Sequence, residues 1–390
     1  MTPREECWLA LKVAHRVGAR TVSTLLEAFG DVEAVFAADA GEIVRRTGLS
    51  PDMATRIETA RDAQAFRMEK RAVEDAGARL IPRDAPDYPP LLEGVPLAPP
   101  LLYCLGTWPL AAGPRMAIVG TRRPSRYGEK MTREIVAAFA AAWPGGVVVS
   151  GLARGIDTVA HTHALDCGIQ TIGVLGGGLG RIYPAENAPL AERMRGQGAL
   201  LSEFYMNQRP AGQNFPIRNR VISGLSHLTV VVEAGLRSGA LITAGFASNH
   251  GRPVLALPGD IDREESQGAN RLIRTGQATL LGSPADVVEA IQDVLHPRPD
   301  QLDLLAPREE AGATGAMGSG GGQLAPRRAP ASPMEGEKGQ LMECLQRGPL
   351  HPDDLSDAVG LPIEKVIGLL LELELSGDIV QTTQNQYRIA

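Results

Sequence analysis

From Met116 onward the chain alternates runs that are apolar throughout with segments of helical pattern. The runs are MAIVG, GVVVSG, TIGVLG, ALLSE, LTVVVEA, PVLALPG and ATLLG. A strand covered on one face shows a polar residue at every second position, whereas one that is apolar throughout must be covered on both. Helical patterns over 127–142, 157–166, 187–197, 218–225, 238–250 and 268–275 supply that cover. The expected fold class is therefore α/β, a doubly wound, mostly parallel sheet closed near His296 by the helix PADVVEAIQDVL.

At 390 residues the chain exceeds one ordinary core, and its flanks differ from this centre. Residues 1–70 read as short helices separated by Gly18, Gly30, Gly41 and Gly48, a small helical domain. The Pro- and Leu-rich stretch 71–114 reads as an ordered connector with short strands at most, leading into the α/β domain at 115–296. Residues 297–337, dense in Pro, Gly and Ala, are expected to be a disordered linker. A helix, a helix-turn-helix and a terminal hairpin follow over 338–390, the order of a winged helix.

Cys7, Cys104, Cys167 and Cys344 are scattered without a CxxC pair, which argues against a disulfide frame or a zinc site. With no apolar leader at the start and no run of 18 apolar residues, a cytoplasmic location is expected. Cofactor signatures are missing too. Gly120 is followed two residues later by Arg122 rather than glycine, GGGLGR at 176–181 ends in Arg181, and no P-loop occurs. Asp157 reads as a helix N-cap, Glu203 and Glu233 as partners for Arg218 or Arg220, and no nucleophile–base set stands out.

In an open α/β sheet the loops after the strands share the carboxyl edge, where ligands bind. Those loops carry Thr121, Arg122, Arg123 and Arg126; Gly151 and Arg154; Gly177, Gly178, Arg181 and Tyr183; and Phe204, Tyr205, Arg209, Phe215, Arg218 and Arg220. Arg237 and Ser238 follow LTVVVEA. Arginine forks take phosphates, amides at helix starts add donors, and rings stack bases. A single-stranded nucleic acid is the ligand this set fits. The formal charge of −6 gives no general attraction for a polyanion, so the affinity must come from this local rim.

AIVGTRRPSRYG, VVSGLARGIDTVAHTHAL, TIGVLGGGLGRIYPAENAPL, LLSEF, FPIRNRVISGLS, VVVEAGLRSGALITAGFASNHGRPVLALPGDI and SQGANRLIRTGQATLL, in this order, resemble the DNA-processing protein A (DprA, also called Smf) family over about 115–282. The resemblance implies a Rossmann-like domain that binds single-stranded DNA and dimerises, with neither enzymatic activity nor a cofactor. It also implies a role in natural transformation: protecting incoming strands and loading the RecA recombinase onto them. The family's elements fall on Gly120, Thr121 and Arg122; on Ser150, Gly151, Ala153, Gly155, Ile156 and Asp157; and on Phe215, Pro216, Arg218, Asn219 and Arg220. With the rim residues Arg123, Arg126, Arg154, Gly177, Gly178 and Arg181, these give the expected DNA-contact set. Many relatives carry a basic residue after the Tyr-Pro pair; here Tyr183-Pro184 is followed by Ala185, and Arg181 is placed to supply that charge.

VGARTVSTLL and TGLSPDMATRI resemble degenerate helix-hairpin-helix repeats, with Arg20 and Ser50 in place of the second hairpin glycines. In the winged helix, Arg347, Lys365 and Arg388 stand against Glu343, Asp353, Asp354, Asp357, Glu364, Glu372, Glu374 and Asp378. Such a module repels duplex phosphates, so a protein contact or a regulatory role is expected of it, with free movement on its linker. Two other readings compete: a nucleotide-processing hydrolase using Glu233 and Arg237, and a scaffold that offers the sheet edge to a peptide.

Overall fold

A computed structural model describes residues 1–14, 17–108, 112–297, 336–361, 363–376, 378–382 and 386–389. Apart from its ends, the linker expected at 297–337 lies outside the described residues. The chain opens with α1 (Pro3–Val13), α2 (Ala19–Phe29), α3 (Val32–Ala37), α4 (Ala40–Thr47), α5 (Pro51–Glu58) and α6 (Gln64–Asp75). Their starts follow from local chemistry: Thr2 closes a capping box with Glu5, and Asp31, Asp39 and Ser50 accept from the amides of Ala34, Glu42 and Met53. Ser50, at the expected hairpin turn, thus spends its hydroxyl on α5. Trp8, Leu9, Leu11, Leu25, Ile43 and Ile57 are fully buried, and the same apolar cluster runs on through Leu101, Tyr103, Leu152, Leu175 and Leu200. The helical unit therefore shares a core with the sheet beside it.

Among the described residues one sheet has nine strands: β1 (Arg79–Pro82), β2 (Leu101–Gly106), β3 (Arg115–Gly120), β4 (Val147–Ser150), β5 (Gln170–Val174), β6 (Ala199–Ser202), β7 (Leu228–Val232), β8 (Val254–Ala256) and β9 (Thr279–Leu280). Their order is β1-β2-β6-β5-β4-β3-β7-β8-β9. All seven expected strands are present, and β3 to β9 pair in parallel. The 71–114 stretch is more than a connector. It supplies β1 and β2, which extend the sheet antiparallel, Leu80 facing Tyr103 and Cys104 facing Leu201. Short strands are expected here; their place as an antiparallel edge is not, because β2 pairs with β6 about a hundred residues further on.

The remaining helices are α7 (Pro90–Glu93), α8 (Arg126–Ala142), α9 (Ile156–Asp166), α10 (Ala188–Gln197), α11 (Asn214–Gly224), α12 (Gly239–Asn249), α13 (Glu264–Arg274) and α14 (Ala285–Leu295). Alternate residues of each strand serve opposite faces. Met116 and Ile118 of β3 pack with α8, α9 and α14, while Ala117 and Val119 share the cluster formed with α11, α12 and α13. Strand order reverses between β3 and β7, so the crevice expected at such a switch point opens beside Gly120.

The last module comprises α15 (Glu337–Leu345), α16 (Pro352–Val359), α17 (Ile363–Ser376) and a hairpin of β10 (Ile379–Gln381) and β11 (Tyr387–Ile389). Leu341, Leu355, Val366, Leu370 and Tyr387 form its own core. The module does not stand free: Ile367 of α17 is buried against Phe204 and Ile217 of the main body. No helix among the described residues is long and apolar enough to cross a membrane.

Candidate nucleic-acid interface

The helix α11 begins at Asn214, four residues before the start that its apolar pattern suggests. Phe215 and Pro216 form its first turn, where proline costs no hydrogen bond. Arg218, Asn219 and Arg220 therefore lie within the helix, only 5%, 7% and 4% exposed. Each ties α11 to its surroundings. Nη1 of Arg218 donates to the carbonyls of Gly151 (2.7 Å) and Val174, closing the ends of β4 and β5 together. Its Nε donates to Asn219 Oδ1 at 3.1 Å, and Asn219 Nδ2 donates to the Gly239 carbonyl at the start of α12. Arg220 pairs with Glu203 just beyond β6, N···O 2.5 Å. Burial lowers the Arg218 guanidinium to about 10, with Asp157 opposing the shift and Arg122 adding to it, so it remains charged at neutral pH.

Several expected contacts point inward instead. Ser150 is fully buried and donates to the Ile118 carbonyl at 2.6 Å, so its hydroxyl is not on the rim. Gly155, not Asp157, is the N-cap of α9. Buried Asp157 accepts from the amides of Gly151 (3.1 Å) and Ala153 (3.2 Å) and so braces the β4–α9 loop; burial raises its pKa, while Arg218 pulls it back down. Glu233 forms no ion pair with an arginine among the described residues. Its carboxylate accepts from the Ser125 amide at 2.8 Å and from the Ser125 hydroxyl, the residue that caps α8. Glu233 at φ 51° and Leu152 at φ 53° are left-handed non-glycine residues just past β7 and β4. Such backbone costs on the order of 1 kcal/mol or more and tends to gather at functional edges.

The glycines serve close packing. A Cβ on Gly151 would stand 2.6 Å from Arg218 Nη1, and one on Gly176 2.7 Å from the Phe215 ring. A Cβ on Gly177 would meet Pro210 at 3.0 Å, and one on Gly178 would meet the Tyr205 carbonyl at 2.0 Å. Gly178, in the expected DNA-contact set, has its amide spent on the Gln208 carbonyl at 2.9 Å. Thr121 is similarly committed: its amide donates to the Glu233 carbonyl, its carbonyl accepts from Ile156, and its hydroxyl takes the Arg123 amide.

What faces outward are arginines, two of them, Arg122 and Arg181, beside the aromatic rings of Phe215 and Tyr183. Arg122, Arg123, Arg126 and Arg181 are exposed and make no ion pair among the described residues, whereas Arg154 is engaged by Glu186. The guanidinium of Arg122 lies 5.6 Å and that of Arg218 5.9 Å from the Phe215 ring centre. Tyr183, 45% exposed, tilts against Phe215 at 6.0 Å. A small cavity bounded by Arg122, Gly151, Arg154, Gly177, Arg181, Tyr183, Phe215 and Arg218 lies between them. Beside it, at the switch point, a cleft of about 950 Å³ runs from Gly120 and Arg123 past Asn219 to Leu236, Arg237 and Ser238. Glu264 and Glu265 line its far wall. Nothing in the sequence marked those two acids, because a first helical turn carries acidic residues for its own dipole. Among the described residues no group of three His, Cys, Asp or Glu is placed to hold a metal.

His161, buried on α9 below this rim, hydrogen-bonds Thr171 Oγ1 at 2.6 Å. Burial, aided by Arg218, lowers its pKa to about 3. An unfolded histidine titrates near 6.5, so the unfolded chain binds more protons over the window between. Stability therefore falls as pH drops from about 6.5 towards 3, by on the order of 2 kcal/mol at pH 5 for this residue alone. His250, lowered to about 4 chiefly by burial, acts in the same sense, and Asp157 in the opposite one. The melting temperature is expected to decline from pH 7 to pH 5, and His161→Gln to flatten that slope; an unchanged slope in the variant would count against the assignment.

The model of the DNA recombination-mediator protein A family matches residues 79–292, and that of the DprA winged helix domain matches 325–385. The first match starts at β1, in accord with a sheet that includes β1 and β2. Protein Smf of Escherichia coli (strain K12) is 37% identical over 328 residues, 81% of this chain and 79% of that one. Protein Smf of Synechocystis is 34% identical over 324 residues, 80% of each chain. The X-ray structure of DNA processing protein A from Streptococcus pneumoniae superposes with a TM-score of 0.61 at 31% identity, covering 73% of this chain and 95% of that one. DNA processing protein A from Helicobacter pylori, whose structure addresses its single-stranded DNA binding mode, gives a TM-score of 0.50 at 29% identity over 55% and 96%. The sheet with its switch-point rim and the appended winged helix thus agree with the sequence matches: this chain belongs to the DNA recombination-mediator protein A (DprA/Smf) family.

Proposed function

We propose that the chain is a single-stranded DNA-binding recombination mediator, which protects incoming strands and loads RecA recombinase onto them in natural transformation. It acts in the cytoplasm, as a homodimer through the sheet domain, without turnover or a cofactor. The observation that carries this reading is the set of exposed arginines without an ion pair among the described residues (Arg122, Arg123, Arg126 and Arg181) in the loops of this sheet edge, Arg122 and Arg181 beside the Phe215 and Tyr183 rings. The cations neutralise phosphates and the rings take unstacked bases, which a duplex keeps inside its stack. Arg218, Asn219, Arg220, Ser150 and the glycines shape the rim from beneath. The hydrolase reading is weaker because its acid, Glu233, is already occupied by Ser125.

Fluorescence titration tests the reading. Oligo(dT) is expected to bind more tightly than duplex of equal length, and AMP not to be hydrolysed. Four phosphates neutralised on a single strand give a slope of about −3 in log affinity against log salt. Equal affinity for both forms, or a flat salt response, would sink the rim assignment.

A further inference from the structure

The winged helix sits on the same helix that builds the rim. Ile367 of α17 is buried against Ile217 and Phe204, and Ile217 directly precedes Arg218 in α11. One residue on, Gly368 lies against Gln213, at the entry of α11 and two residues before Phe215. A second contact reinforces the seat: the Asp353 carboxylate of α16 lies against Gly18 at the start of α2, where a Cβ would come within 2.4 Å of Oδ1. The helical unit is itself fastened to the loop that leads into α11, Tyr205 donating to the Lys12 carbonyl at 2.9 Å and the Met206 amide to Glu69 at 2.7 Å.

Two features make this seat consequential. The module carries eight acidic residues against three basic over 339–390, so docking sets a negative body beside unpaired arginines. A phosphate backbone crossing Phe215 therefore passes close to the seated module, since Gly368 packs against Gln213 at the same end of α11. The seat is also separate from the module's own core, which Leu341, Leu355, Val366, Leu370 and Tyr387 form among themselves, so it can open without disturbing the core of either part.

We propose that the winged helix is an intramolecular clasp that, seated on α11, holds single-stranded DNA off the arginine rim and is displaced when a strand binds. This rests on the rim being the single-strand site. Binding and release are then coupled reciprocally: whatever lifts the module strengthens DNA binding, and DNA lifts the module.

A cysteine pair tests the clasp in the full chain. An ideal Cβ on Gly368 lies 3.5 Å from Gln213 Cβ, at the near end of the span a disulfide bridges. The Gln213→Cys/Gly368→Cys protein is expected to cross-link under mild oxidation without DNA, and more slowly with oligo(dT) present. The locked form is expected to bind oligo(dT) about tenfold more weakly than the same protein after dithiothreitol, a coupling of ordinary allosteric size. Reduction serves as the folding control. Failure to cross-link, or equal affinity of locked and reduced forms, overturns the clasp. If cross-linking succeeds but neither the reduced protein nor the parent binds oligo(dT), the reading of the rim itself falls, and the competition with it.

Discussion

Glu203→Gln is expected to lower the melting temperature by on the order of 10 °C. The glutamine keeps the shape of Glu203 and removes its charge, leaving Arg220 buried with no counter-ion. Removing one member of a buried pair costs about 3–5 kcal/mol, and each kcal/mol shifts a unit of this size by about 2–4 °C. The pair has little to fall back on: Nε and Nη1 of Arg220 and Oε1 of Glu203 have no hydrogen-bond partner among the described residues. Charge is therefore concentrated in one 2.5 Å contact between α11 and the end of β6. Replacing both residues, as Arg220→Met with Glu203→Leu, should recover most of the loss, because no unpaired charge then remains. Calorimetry decides the matter. A drop of only a degree or two in the single variant would mean that the pair is solvated, contrary to its burial.

Arg122→Ala is expected to weaken oligo(dT) binding by about 1.5–3 kcal/mol, roughly 10- to 150-fold, the range for a hydrogen bond to a charged group. The side chain is exposed and its contact with Phe215 is a face-on cation–π approach, so the melting temperature should hardly move. Arg154→Ala is the matched control. Arg154 is already engaged by Glu186, which screens its charge, so its removal should cost less affinity than loss of Arg122. Isothermal titration with both variants separates a phosphate contact from a general loss of positive charge. Arg122→Ala binding like the parent, with the fold intact, would remove Arg122 from the site.

The contrast between these two arginine roles shows how far the sequence carried. That one arginine of FPIRNR would be fixed by Glu203 or Glu233 is legible, because two positions apart on a helix face different ways. The outcome is Glu203 for Arg220. The sequence does not show that Arg218 is buried as well, held by carbonyls of Gly151 and Val174 that lie 67 and 44 residues away. Backbone carbonyls are identical in every residue and leave no mark in a sequence. The same blindness explains Gly178, whose amide goes to Gln208, and Ser150, whose hydroxyl goes to Ile118.

The strands from β3 to β9, the helices between them and the gathering of the arginines on one edge were set by the sequence alone. Apolar periodicity is a local signal, and the parallel order of strands then places every following loop at the same end of the sheet. Three things were decided only by the tertiary structure. One is the antiparallel edge of β1 and β2, short strands whose pairing partner β6 lies far along the chain. Another is the division of the rim into buried braces and free cations. The last is the seat of the winged helix on α11. Each depends on which surfaces meet across long stretches of chain, and burial, unlike periodicity, is a property of neighbours that the sequence does not place side by side.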